Sequence, residues 1–177
     1  MEKKHRLMIT IIIMIILILI TTGGYILSTQ TEPDQEIIEQ IRPTENDNND
    51  FLSWINVANM EMLDITNRGL KAMGEENYYE QMLIEQETID TIETYIHELN
   101  MFELDGAEYE NLRTEYREYL YDRKQASDYA IIGLEEMLND NYDLAVTYLN
   151  TSTSYITEAT NRFSTINDML NNILDNI

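Results

Sequence analysis

The side chains best equipped for chemistry here are carboxylates: 33 aspartates and glutamates stand beside 11 lysines and arginines, 12 tyrosines and two histidines. His97 sits in IETYIHEL, four residues after Glu93. Di-iron helical proteins place Glu-x-x-His on paired helices, and the second histidine, His5, lies at the far N-terminus. Neither that spacing nor a cysteine-free chain supports an iron or zinc centre. Asn139-Asp140-Asn141-Tyr142-Asp143 alternates oxygen ligands as calcium loops do, but Leu144 occupies the loop-glycine position and Asn150 the place of the closing glutamate. Asn46 to Asp50 fails the same test at Phe51 and Leu52. These clusters read as turns with capping residues. A catalytic carboxylate pair needs a shaped pocket, which a narrow bundle rarely supplies, and no serine or threonine stands out as a nucleophile. No catalytic, cofactor-binding or metal-binding residue is assigned, no cofactor is expected, and the chain is not read as an enzyme.

Arg123 is the anomalous residue, because it falls on an otherwise apolar helix stripe. It either pairs with a buried acid such as Glu61 or carries its guanidinium to the bundle edge along its aliphatic stem. Asn150-Thr151-Ser152 is a glycosylation sequon, but Ser152 faces the same kind of stripe, which argues against modification. Most tyrosines are expected in the core, where each hydroxyl needs a partner.

The elements that must position these residues are helices. From Phe51 onward the apolar residues recur at a 3.5-residue period. Leu52, Ile55, Met62, Ile65 and Met73 share one face. Met82, Ile89, Ile92, Ile96 and Leu99 share a second, and Leu112, Tyr116, Tyr119, Ala126, Ala130, Gly133 and Met137 a third. The last stretch alternates steps of four and three without a break through Ala145, Leu149, Ser152, Ile156, Ala159, Phe163, Ile166, Leu170, Ile173 and Ile177, the signature of a coiled-coil-like seam. Its members Ile156, Phe163, Ile166, Leu170 and Ile173 are candidates for an interaction seam.

Breaks fall at Gly74-Glu75-Glu76-Asn77, Leu104-Asp105-Gly106 and Asn139-Asp140-Asn141, with Asp105 expected to cap the third helix. Short connections make neighbours antiparallel, so residues 51–177 are expected to fold as an all-α, up-down-up-down four-helix bundle of two hairpins, 51–102 and 106–177, the last two helices being the longer. Asp64, Gly69, Leu70, Met73, Asn77, Tyr78 and Ile92 recur, shifted by 64, as Asp128, Gly133, Leu134, Met137, Asn141, Tyr142 and Ile156. This points to a duplicated hairpin. In its turn, Gly69 and Gly133 would let helices approach, Asn77 and Asn141 would open the next helix, and Tyr78 and Tyr142 would pack back. The second copy, GLEEMLNDNYDLAVTYL, resembles a tetratricopeptide-type turn over that one turn, without the 34-residue period of that family.

Ahead of the helices, Met8 to Leu27 is an uncharged apolar run. A bilayer core of about 30 Å needs about 20 such residues. The aliphatic heart ends at Ile20 and is prolonged by Tyr25, Ile26 and Leu27. This favours an uncleaved signal-anchor over a secretory signal peptide, the alternative being secretion after cleavage. Lys3, Lys4 and Arg6 flank it on one side, which orients residues 1–7 to the cytoplasm and the rest outward. Residues 28–50 read as a polar linker or stalk. The net charge of −22 argues against nucleic-acid partners. The expectation is therefore a single-pass cell-membrane protein. Its acidic extracytoplasmic bundle would bind a protein partner, self-associate or scaffold a complex without catalysing a reaction. The alternative is a ligand-sensing ectodomain working with a membrane partner, loosely similar in architecture to bacterial chemoreceptor bundles; which small molecule it would take is open.

Overall fold

A computed structural model describes residues 48–175. They form four helices: α1 (Asn48–Gly74), α2 (Tyr78–Leu99), α3 (Ala107–Leu138) and α4 (Tyr142–Leu174). The anchor expected at Met8–Leu27, with Ile20 inside it, its flanking Lys3, Lys4 and Arg6, and the stalk up to residue 47 lie outside the described residues. Among the described residues no helix is long and apolar enough to cross a membrane.

α1 begins at Asn48, inside the span read as linker. The Asn48 side chain is tied to the α2–α3 connection: its Nδ2 donates to Asp105 O at 2.8 Å and its Oδ1 accepts from Asp105 N at 3.1 Å. These bonds hold the Asp105 backbone, and the cap expected from Asp105 falls one residue later. Gly106 takes that place, at φ 105°, with no side-chain hydrogen bond. A glycine can hold that angle without steric cost.

Consecutive helices run antiparallel, as their cross-bridges show. Trp54 Nε1 donates to Glu98 (2.7 Å) and Arg68 to Glu87 (2.6 Å) between α1 and α2. Lys124 pairs with Glu93 (3.2 Å) between α2 and α3, and Arg162 with Asp122 (2.7 Å) between α3 and α4. α1 and α3 run parallel, and a constant offset of 57 residues links Asn48 to Asp105, Asn59 to Tyr116 and Thr66 to Arg123. The backbones of consecutive helices pack closely, most extensively α3 with α4, whereas those of non-consecutive helices scarcely approach. Side chains of α1 nevertheless reach α3, through Asn59 and Tyr116, Thr66 and Arg123, and the Trp54–Tyr116 ring contact.

The main core gathers Phe51, Trp54, Ile92, Leu99, Leu112, Tyr116, Leu120, Phe163 and Ile166 from all four helices. Phe51, Phe102, Trp54, Tyr95, Tyr116, Tyr119 and Phe163 continue ring to ring at centroid distances of 5.3–5.7 Å. Truncating a fully buried leucine such as Leu112 or Leu120 would cost about 2–5 kcal/mol. Two smaller clusters, Ile65–Ala72–Ile84 and Leu134–Met137–Ala145, sit toward the opposite end.

Candidate functional site

Three places in the bundle hold side chains able to recognise or react: the turn within each hairpin, a polar layer in the bundle, and the outer surface of α3 and α4. The turns are the most regular. In the first, Glu76 N donates to Met73 O (3.0 Å), Asn77 N to Ala72 O (2.9 Å) and Gln81 N to Asn77 O (3.0 Å). In the second, shifted by 64, Asp140 N donates to Met137 O (3.1 Å), Asn141 N to Glu136 O (2.8 Å) and Ala145 N to Asn141 O (3.0 Å). Both are Schellman endings, in which the amide of a left-handed residue and that of the residue after it reach back to the last helical carbonyls. Glu76 (φ 55°) and Asp140 (φ 60°) hold the left-handed position, which glycine usually fills.

The repeated residues are not equivalent in detail. Asn77 Oδ1 accepts from Glu80 N at 3.2 Å, a helix-opening cap, whereas the Asn141 side chain donates backward to Glu136 at 2.7 Å and caps nothing. Tyr78 packs on the Leu134–Met137–Ala145 cluster of the other turn rather than across its own. Tyr142 is largely exposed, its hydroxyl donating to Asp140 at 2.8 Å. That hydroxyl is pushed above the ordinary phenol range by Asp140 first, with Tyr78 among the smaller contributors. Gly133 sits where α3 and α4 meet: a Cβ there would lie 2.8 Å from Leu149 Cγ and 3.3 Å from Ala145 O. At Gly69 the nearest atom is Ile84 Cγ2, at an ordinary 3.6 Å.

The polar layer lies beside the Ile65–Ala72–Ile84 cluster, Thr66 following Ile65 and Glu85 following Ile84. Ser127 Oγ donates to Glu85 at 2.6 Å, and Arg123 Nη2 donates to Thr66 Oγ1 at 3.3 Å. Thr88 and Ser152 are buried at the same part of the bundle. Burial pushes the Glu85 carboxyl up; the Ser127 hydrogen bond and the Arg123 charge pull it down. Arg123 thus faces Glu85, not Glu61. Glu61 instead accepts from the Tyr95 hydroxyl, which burial first and then Glu61 push far above the ordinary phenol range. The layer can fix register, because its hydrogen bonds are made only when Glu85, Ser127, Arg123 and Thr66 stand level. The sequence showed Arg123 and Ser152 on the stripes but gave no sign that Glu85 and Ser127 would meet.

The seam expected on α4 faces inward. Phe163, Ile166 and Ile173 are buried in the main core, Leu170 packs on it and Ile156 is half-buried. Most of it is thus covered by this chain's own helices; Ile177, at the end of the seam, lies outside the described residues. The outer surface of α3 and α4 carries a ladder of half-buried tyrosines instead. Tyr129 stacks on Tyr155 (5.7 Å, 10° between planes) and lies against Tyr148 (6.3 Å, 22°). His97 is exposed, as is Asn150 of the sequon, while Ser152 is buried. Among the described residues no group of three or more histidines and carboxylates converges to hold a metal ion. Comparison of the chain with protein-family models, curated proteins and solved structures finds no match.

Proposed function

We propose that the chain is a membrane-tethered, non-enzymatic interaction module, with the apolar run Met8–Leu27 as its single anchor and the acidic helical bundle held outward on the polar stalk. The observation that carries this reading is the polarity of the bundle. Asn48, the α2–α3 connection and the last turns of α4 share one end, since Phe51, Phe102, Tyr109 and Ile173 belong to one core cluster. The Gly74–Tyr78 and Leu138–Tyr142 turns share the other, since Tyr78 and Met82 pack on Leu134, Met137 and Ala145. A tether entering at Asn48 therefore carries the two turns farthest from the membrane. The shared 64-residue frame, repeated down to individual turn hydrogen bonds, supports an origin of the two hairpins by duplication of one unit.

Site-specific photo-crosslinking tests the reading. A photoreactive residue is placed singly at exposed Tyr79, Tyr121, Ile132 and Leu174 of the full chain in its native membranes. The expected result is a discrete, position-dependent adduct to another polypeptide. Absence of adducts from every position, with the protein monomeric, would count decisively against an interaction role.

A further inference from the structure

We infer that Tyr129 of α3 and Tyr155 of α4 are a site of oxidative modification, where an intramolecular dityrosine bond staples the two helices together. The reaction needs a one-electron oxidant of the haem-peroxidase class with hydrogen peroxide, and it does not depend on the interaction role proposed above.

Proximity, accessibility and a held geometry single out this pair. Among the described residues, tyrosine rings meet at Tyr116–Tyr119 (5.6 Å between centroids), Tyr129–Tyr155 (5.7 Å) and Tyr129–Tyr148 (6.3 Å). Tyr116 and Tyr119 lie in the core, 0% and 9% exposed, and burial pushes both phenols above the ordinary range. A phenol must shed its proton as its electron leaves, so a pair sealed away from water and oxidant is a poor source of radicals. Tyr129, Tyr148 and Tyr155 are only half-buried. Of the two accessible contacts, Tyr129–Tyr155 is the shorter and the more nearly parallel, at 10° against 22°. α3 and α4 are also the most extensively packed pair of helices. Gly133, one turn from Tyr129, marks their close approach, since a Cβ there would lie 2.8 Å from Leu149 Cγ. The helices thus deliver the two rings to each other, and their radicals couple without a diffusional encounter.

Each phenol gives one electron to the oxidised peroxidase and one proton to water. The unpaired electron of the phenoxyl radical is shared with the ring carbons ortho to oxygen, the Cε atoms. A bond forms between one Cε of Tyr129 and one of Tyr155. Each joined carbon then loses its hydrogen as a proton while the oxygen regains one, which restores both phenols. Two tyrosines and one hydrogen peroxide give one dityrosine and two waters. The chain has no cysteine, so no disulfide can close this loop and no thiol of its own can quench the radicals. A link between residues 129 and 155 restrains the unfolded chain as a disulfide would.

The full chain in zwitterionic nanodiscs is treated with a haem peroxidase and limiting hydrogen peroxide. It is then digested at lysine, arginine and glutamate, which separates Tyr129 from Tyr155 at Glu135 and Glu136, and read by mass spectrometry. The expected product joins the two peptides at a mass two hydrogens below their sum and carries dityrosine fluorescence. Its yield should not change on about tenfold dilution, because the coupling is intramolecular. Tyr129→Phe and Tyr155→Phe should each abolish it and Tyr148→Phe should retain it, while Tyr116 and Tyr119 stay unlinked. The linked parent should melt above identically treated Tyr155→Phe. Absence of the product while exposed Tyr79 and Tyr121 join separate chains would overturn the proposal. So would its persistence in Tyr155→Phe, which would place the bond on Tyr148, or equal linkage of Tyr116 to Tyr119, which would remove accessibility as the selecting factor. An unraised melting temperature would overturn the stapling role.

Discussion

Glu85 is the residue whose environment most changes its chemistry. Burial holds its carboxyl above the ordinary value, against the opposing pull of the Ser127 hydroxyl and the Arg123 guanidinium. A carboxyl with a raised folded-state value binds its proton more tightly in the folded chain than in the unfolded one. Its contribution to stability is therefore fully present at acid pH and lost as pH climbs from the unfolded value through the folded one. Glu85→Gln keeps an oxygen for Ser127 but cannot ionise. Urea midpoints from about pH 4 to about pH 7 should then show the variant gaining on the parent as pH rises; a gap that widens toward acid pH would mean that the ionised carboxylate is the favoured form. None of this was legible from composition. Arg123 announced itself by standing on an apolar stripe, but its neighbour Glu85 looked like any surface glutamate, since only the packing of α2 on α3 brings Ser127 to it.

At the scale of the elements, the repeat was legible as a frame and illegible as a function of each position. The spacing D-x4-GL-x2-M-x3-NY marks both turns, and both close with the same Schellman hydrogen bonds. The two glycines nevertheless do different things, because helix–helix distance is set by the whole interface and not by the local motif. Gly133→Ala would drive a Cβ against Leu149 and the Ala145 carbonyl, and is expected to destabilise by about 1–3 kcal/mol, the range for overpacking. Gly69→Ala meets only an ordinary contact and should instead be neutral or stabilising by up to about 1 kcal/mol, the helix-propensity gain of alanine over glycine. Chemical denaturation of the two single variants separates them; equal destabilisation would mean that Gly69 also marks a close helix approach. The α4 seam teaches the same lesson. Its 3.5-residue period reported an apolar face correctly, but a period carries no information about whether the covering helix belongs to this chain or another. Here Phe163, Ile166 and Ile173 are covered by their own chain.

At the scale of the whole molecule, charge and order of packing dominate. A net charge of −22 repels itself in the folded state more than in the expanded one. Raising the ionic strength from about 0.01 M to about 0.15 M shortens the Debye length from about 30 Å to about 8 Å. The melting temperature should therefore rise over that range, and a fall would show that ion pairs such as Arg162–Asp122 and Arg68–Glu87 outweigh the repulsion. The sequence by itself determined the helices, their breaks at Gly74–Asn77 and Asn139–Asn141, the relative lengths of the four and the acidic character of the surface. These follow from local periodicity, turn chemistry and composition, which need no knowledge of distant contacts. Only the tertiary structure decided that side chains of α1 reach α3, that Glu85 and Arg123 share a half-buried polar layer, and that Tyr79, Leu83, Leu138 and Leu144 are left uncovered at one end. Each of those outcomes depends on which faces meet, and a stripe of apolar residues specifies that it must be buried without specifying against what.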